Sequence, residues 1–312
     1  MREKYGQKNQ KWRQACPNGE DFGKLCGFDH VLYSDDTNLV NSTLLGLRIM
    51  LHEVEREAAR YGLTLNLAKT WLIRLGDAQK TPPPNLKSLN GTRILEARVE
   101  KTLGYSFGSG ATTLQIVADK CKQIRFAMRN FKIIWSSKLP LKKKTEFYFS
   151  LIVSRAVGGL HLLALGDTEF RKLGYAHIRS LRQILGIKAA RYSHVSNAEI
   201  LKKAGAPTFY SMIRQKQLAL FGHILRLDDS HPDVRATFAN KATLSPFAPS
   251  GTDPKRRQGR PRLTWSSEII KLIKAAFPNI TSTQIVERAQ DRALWRGWVW
   301  SLSPTGCKQT YA

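Results

Sequence analysis

Two carboxylates stand side by side at Asp35 and Asp36, inside HVLYSDDTNLV, residues 30–40. Along a strand, consecutive side chains point to opposite faces, so neighbouring carboxylates converge on one site only at a turn. A short strand, an Asp-Asp turn and a second strand would bring them together. The two charges repel and raise one pKa unless a divalent cation relieves them. Hard cations such as Mg²⁺ take carboxylate oxygens, and a cluster of such ligands serves two-metal phosphoryl transfer. Asp and Asn are also the ordinary residues of solvated turns. The pair by itself leaves both readings open.

The elements around the pair follow from periodicity. Residues 28–33 (FDHVLY) read as a strand bounded by Gly27 and SDDTN, and 37–40 return as its antiparallel partner. Residues 42–62 place Leu47, Met50, Leu51, Val54, Ala58 and Tyr61 at helical spacing, with Ser42 as N-cap and Gly62 as the stop. The stretch 63–75 alternates like a strand, 77–91 is a loop by its Pro, Asn and Gly, and 93–110 reads as a hairpin closed by glycines. From Leu114 the pattern turns helical, with helices expected near 114–136, 141–164, 168–186, 196–204, 207–227, 263–276 and 281–300. Residues 240–262, rich in Pro, Ser, Gly and Lys/Arg, read as a basic flexible linker.

Charge is distributed unevenly over the 312 residues. The chain carries 50 Lys+Arg against 24 Asp+Glu, a net +26. Residues 1–110 hold 16 and 12, residues 111–190 hold 15 and 4, and residues 191–312 hold 19 and 8. The excess therefore lies after the acidic pair. It points to a polyanionic partner, nucleic acid before an anionic membrane, because the cations are spread over several helices instead of lining one amphipathic face. Hydrophobic content of 42% suffices for a packed core. Cys16, Cys26, Cys121 and Cys307 are scattered and form no CxxC pair, which argues against a zinc knuckle or a disulfide framework and for reduced thiols. The polar start MREKYGQKNQKWRQ has no signal-peptide core. Nucleus or cytoplasm, without secretion or a membrane partner, is the expectation.

Tyr33-Ser34-Asp35-Asp36 resembles the Y-x-D-D motif of reverse transcriptases, with Ser where non-LTR elements usually have Ala. GLTLNLAKT (62–70) resembles their next motif, and Leu103-Gly104-Tyr105 the hairpin that grips the primer end. Residues 133–160 resemble the thumb of non-LTR retrotransposon polymerases, and SLRQILGI (180–187), FGHILRL (221–227), RRQGRPRLTW (256–265) and AQDRALWR (289–296) the segments that follow it. The resemblance runs from about Lys24 to Trp300. It implies an α+β fold: a partial palm over 24–110 after a non-matching segment 1–23, a helical thumb over 111–190, a helical extension over 191–239, the linker 240–262, and C-terminal helices over 263–312. It also implies RNA-templated DNA synthesis with Mg²⁺, or Mn²⁺ in its place. Asp35 and Asp36 become metal ligands and catalytic residues, Lys69 a catalytic group near the departing pyrophosphate, and Tyr33, Leu103, Gly104 and Tyr105 primer-binding residues. The partners become an RNA template and a DNA primer, or duplex nucleic acid. The family uses a further aspartate far upstream, and Asp21 and Asp29, the aspartates preceding the pair, match no such context. The expectation is a truncated polymerase, inactive alone unless another chain supplies the missing fingers and palm. The alternative is a non-catalytic basic nucleic-acid-binding protein with a vestigial acidic pair.

Other residues have competing uses. Lys69 is equally a solvated lysine at a helix or strand end. Lys142, Lys143 and Lys144 suit phosphate contacts or a solvated helix start. Residues 254–262 bring Lys255, Arg256, Arg257, Arg260 and Arg262 together around Gln258-Gly259-Arg260-Pro261. That stretch is close to a minor-groove hook, and equally fits a nuclear-localisation signal, a phosphate patch or a plain basic linker. His223 and His231 read as helix-packing residues, not zinc ligands, and Trp295 and Trp298 as core anchors one helical turn apart.

Overall fold

In a computed structural model the described residues are 30–33, 36–75, 84–102, 105–108, 112–246 and 264–302. They form two units, one running to Ala111 with Ser230–Ala236 added, the other comprising Thr112–Asp229 and the chain from Thr237 onward. The fold is mixed α/β and mostly helical, with few and short strands. Among the described residues no helix is long and apolar enough to cross a membrane.

In the first unit β1 (His30–Tyr33) pairs antiparallel with β2 (Asp36–Leu39). Helix α1 (Leu44–Arg60) follows. Its N-cap is Thr43, one residue beyond the expected Ser42, because Thr43 Oγ1 accepts from the Gly46 N–H at 3.0 Å while Asn41 Oδ1 accepts from the Thr43 N–H at 2.9 Å. Gly62 ends it as expected. At φ +70° it takes the left-handed conformation, and the Leu63 N–H reaches back to Ala58 O at 3.0 Å, closing a Schellman motif. The 63–75 stretch is mostly not a strand. It holds a 3-10 turn at Leu67–Lys69 and a two-residue strand β3 (Trp71–Leu72), which pairs parallel with β4 (Leu95–Glu96). The expected 93–110 hairpin is correspondingly shorter, β5 (Glu100–Thr102) against β6 (Tyr105–Phe107). The apolar alternation in both stretches serves a small core of Leu51, Leu72, Leu86 and Ile94, with Leu39, Leu47, Leu65 and Leu67 packed against it.

The second unit opens with α2 (Thr113–Asn130), α3 (Lys132–Ser136) and α4 (Leu141–Tyr148). A π-helical turn (Phe149–Val153) and α5 (Ser154–Val157) continue α4 as one helical rod, ended by Gly159 at φ +76°. Then come α6 (Asp167–Leu185), α7 (Ala190–Ser193), α8 (Asn197–Ala204) and α9 (Phe209–Arg226). The expected helices are present, but single helices near 114–136 and 281–300 are each divided in two. Short α7 and α10 (Pro232–Thr237, whose first five residues belong to the first unit) lie where no element was expected. The core joins α2, α4, α6, α8 and α9 through buried Ile124, Tyr148, Leu173, Leu181, Ile200 and Phe209.

The start of the expected linker is structured. Phe238–Asn240 (β7) pairs with Ser245–Pro246 (β8). Residues 247–263 lie outside the described residues. Helices α11 (Trp265–Ala276), α12 (Ser282–Gln290) and α13 (Arg292–Leu302) complete the unit. Trp295 and Trp298 are buried, as expected, whereas Trp300 is exposed. The Trp295 indole N–H donates to Leu218 O at 2.8 Å and its ring lies against Phe221, while Arg226 and Gln290 tie α9 to α12 through backbone carbonyls. The indole reaches Leu218 O because Gly222 offers no side chain, and a methyl placed there would overlap the ring. Gly222→Ala is expected to destabilise the protein by about 1–3 kcal/mol despite the better helix propensity of Ala. Chemical denaturation read by tryptophan fluorescence checks this, and an unchanged or raised midpoint would contradict it.

Candidate nucleic-acid interface

The acidic pair falls at a hairpin, as its sequence suggested. The β1–β2 register matches Tyr33 to Asp36, so Asp36 opens the second strand. Ser34 and Asp35 lie outside the described residues. The same limit applies to Leu103 and Gly104, while Tyr105 begins β6 opposite Thr102. Lys69 ends the 3-10 turn and is exposed. Leu39 of β2 and Leu67 of the 3-10 turn pack on the same small core. Lys255, Arg256, Arg257, Arg260 and Arg262 lie outside the described residues.

The lysine triplet divides. Lys142 and Lys143 are exposed on α4, and Lys143 pairs with Glu146 at 2.9 Å. The Lys143 ammonium holds the Glu146 carboxyl below its ordinary range. Lys144 instead turns inward and donates to Trp135 O at 2.9 Å, satisfying a carbonyl at the end of α3. It acts as a helix cap and is half-buried. The histidine expectation also needs correction. His223 and His231 are exposed, and the buried packing histidine is His177.

His177 fixes α6. Its Nε2 lies 3.0 Å from Pro207 O, which can only accept, so Nε2 carries the proton. Nδ1 then accepts from the Tyr148 hydroxyl at 2.9 Å. Burial raises the Tyr148 pKa, which keeps that donor protonated. The imidazole is stacked on Phe209 at 4.3 Å between ring centroids. These contacts anchor one face of α6 to α4 and α9. The opposite face carries Arg171, Tyr175, Arg179 and Gln183, all exposed and spaced by four, so they form one stripe.

Two clefts flank that stripe. The first, about 370 Å³, lies between α2 and α6 and is lined by Lys122, Arg125, Arg129 and Arg179 among others. The second, about 910 Å³, is bounded by α6 and the segment from Ile187 to Asn197, and it includes Arg171, Arg179, Arg182 and Arg191. Arg179 and Gln183 line both. No carboxylate lines either cleft. Asp119 pairs with Lys122 at 3.2 Å on the solvent face of α2. Burial pushes the Cys121 thiol up, so this side chain on α2 remains protonated at neutral pH.

The far wall of the second cleft is held by Arg182. Its guanidinium donates to Lys188 O at 3.0 Å, Val195 O at 2.6 Å and Asn197 Oδ1 at 3.1 Å. Gly186 at φ +68° lets the chain leave α6 through a Schellman motif, with the Ile187 N–H donating to Arg182 O at 2.9 Å. Sequence reading missed these clefts. The available signal was the four-residue spacing of Arg171, Tyr175, Arg179 and Gln183 along one helix, together with the charge excess of residues 111–190.

No protein-family model matches this chain, and no solved structure matches it.

Burial holds the His177 pKa down at about 4. The unfolded chain takes up a proton below about 6.5, whereas the folded protein does so only near the depressed value. The contribution of His177 to stability is therefore complete above the unfolded value and is lost as pH falls towards 4. Unfolding free energy is expected to drop by up to about 3 kcal/mol across that window, and His177→Gln to remove most of the slope. Denaturation midpoints at a series of pH values check it. An equal slope in the variant would assign the effect to other groups.

Proposed function

We propose that this protein binds nucleic acid, with the clefts on either side of α6 as its phosphate-contacting surface. One observation carries the reading: Arg179 is shared by two clefts that gather six Lys and Arg besides the inward-turned Arg182, and no carboxylate. Like charges so arranged repel one another, and a phosphate backbone relieves them while releasing its own counterions.

The resemblance stated above gives this class a particular form. The chain is assigned as the C-terminal part of an RNA-directed DNA polymerase of the non-LTR retrotransposon type. In that assignment the α2–α6 surface belongs to the thumb and meets an RNA template paired with a DNA primer. Asp35 and Asp36 offer the hard oxygen ligands that Mg²⁺ or Mn²⁺ takes, and the metal would neutralise charge on the transferring phosphoryl group. Tyr33, Leu103, Gly104 and Tyr105 would support the primer end, and Lys69 would lie near the leaving pyrophosphate. Lys142 and Lys143, exposed on α4, remain candidates for phosphate contact. A second reading, a non-catalytic binder with a vestigial acidic pair, is favoured by the strands. Among the described residues they form four separate two-stranded sheets and not one continuous sheet.

Binding is expected to weaken steeply with salt, each phosphate contact contributing a slope of roughly 0.9 in log K against log[salt]. Arg125→Ala and Arg179→Ala should each lower the slope by about 1, and deletion of residues 254–262 should lower it further. Fluorescence anisotropy with a labelled duplex over a salt series measures it. Salt-independent binding, or slopes untouched by the two arginine changes, would remove the α6 surface from the reading.

Chemistry separates the two forms. The 312-residue chain alone is expected to bind a primer–template and to extend no primer with dNTP and Mg²⁺ or Mn²⁺, because the pair lacks its matching upstream aspartate. Asp35→Ala should leave binding unchanged or slightly tighter. Templated extension that vanishes in Asp35→Ala would instead establish a working polymerase.

A further inference from the structure

The two clefts beside α6 differ in chemistry. The smaller, lined by Lys122, Arg125, Arg129 and Arg179 with Met128 and Ala176 beside them, has no aromatic ring in its lining. The larger combines cations with an apolar floor of Ile178, Ile187 and Ala189, and Tyr175 stands at it with 70% of its surface exposed. A duplex keeps its base faces stacked inside and offers none of them to such a floor. An unstacked base has an apolar π-face to bury and hydrogen-bonding groups along its edge.

Asn197 supplies a reader for that edge. Arg182 can only donate, so the Asn197 atom 3.1 Å from it is the amide oxygen, and the amide nitrogen is left to donate. Arg182 is itself buried and bonded to the Lys188 and Val195 carbonyls, so this side of the cleft is held before any ligand arrives. A volume of about 910 Å³ lies within the range of nucleotide-sized ligand sites. Arg171, Arg179 and Arg191 stand around it to meet the flanking phosphates.

We infer that the larger cleft is a nucleobase site: an unpaired base stacks on Tyr175, buries against Ile178 and Ile187, and places an acceptor on its edge before the Asn197 amide. The protein then engages single-stranded segments or overhangs there, while the smaller cleft tracks the backbone of either form. This rests on the nucleic-acid reading above, but fails separately from it.

The test uses the full chain with two probes, a labelled oligo(dT) and a blunt duplex of equal length, read by anisotropy. Tyr175→Ala should weaken oligo(dT) binding about tenfold, the scale of one lost base stack, and leave duplex binding within about twofold. Tyr175→Phe should keep the native affinity for both. Asn197→Ala, whose fold is checked by its thermal midpoint, should weaken oligo(dT) more than duplex. Loss of both probes in equal measure with Tyr175→Ala, or loss of neither, overturns the nucleobase site. Failure of wild-type protein to bind either probe, or indifference of both to Arg179→Ala, overturns the nucleic-acid reading itself.

Discussion

The fold of the second unit turns on the two faces of one helix. The helix α6 must bury one face without strain while the other holds cations close together. Like charges along a helix oppose its formation, so the stabilisation has to come from the buried side. That side supplies Leu173, Leu181 and Ile184 to the core, and His177 locks the rotation of the helix by two directional bonds. Apolar packing alone tolerates a small turn about the helix axis, whereas a donor on one nitrogen and an acceptor on the other do not. The direction in which Arg171, Tyr175 and Arg179 point is thus set by a neutral imidazole on the far side.

The same economy recurs at the ends of elements. Arg182 belongs to the charged composition of α6 but is turned inward, and it acts as a clip for the segment that leads to α8. Lys144 does this for α3. Arg226 does it between α9 and α12. A net charge of +26 therefore overstates the cations available to a partner. Some of them replace the capping side chains that the backbone would otherwise need.

Sequence reading reached the helical elements because their apolar period is a local property, and long amphipathic runs such as 207–227 leave no other regular solution. It reached the hairpin at Tyr33–Asp36 for the same reason: two short runs of β-formers surround residues that favour turns. It failed for 63–75, where alternation marked burial on a small core and not pairing in a sheet. It failed for His177, since nothing in YAHIRS distinguishes a buried histidine from the exposed ones at His223 and His231. Only the approach of Pro207 and Tyr148, distant in sequence, makes that distinction. The clefts were missed for a related reason: the spacing along α6 marks one wall, but each cleft draws residues from two elements, and a charge count shows how many cations there are and not where they converge.

The charge distribution also bears on the acidic pair. A carboxylate pair set among closely packed guanidinium groups would be satisfied by them, as Arg forks bind carboxylates in two parallel bonds, and would have little left for a cation. Residues 1–110 carry 16 basic and 12 acidic side chains, and the remaining chain carries the rest of the excess. The segment that carries the acidic pair is nearly balanced in charge, and the strongly basic segments follow it. In a polymerase both conditions have to hold along one substrate, because the metal acts at the primer end and the backbone beyond it needs neutralising. In a simple binding protein nothing requires the acidic pair to be kept apart from the arginines, and its position in the chain would be incidental. The segregation of charge is thus what the proposed polymerase origin would require, on a ground independent of the motif letters.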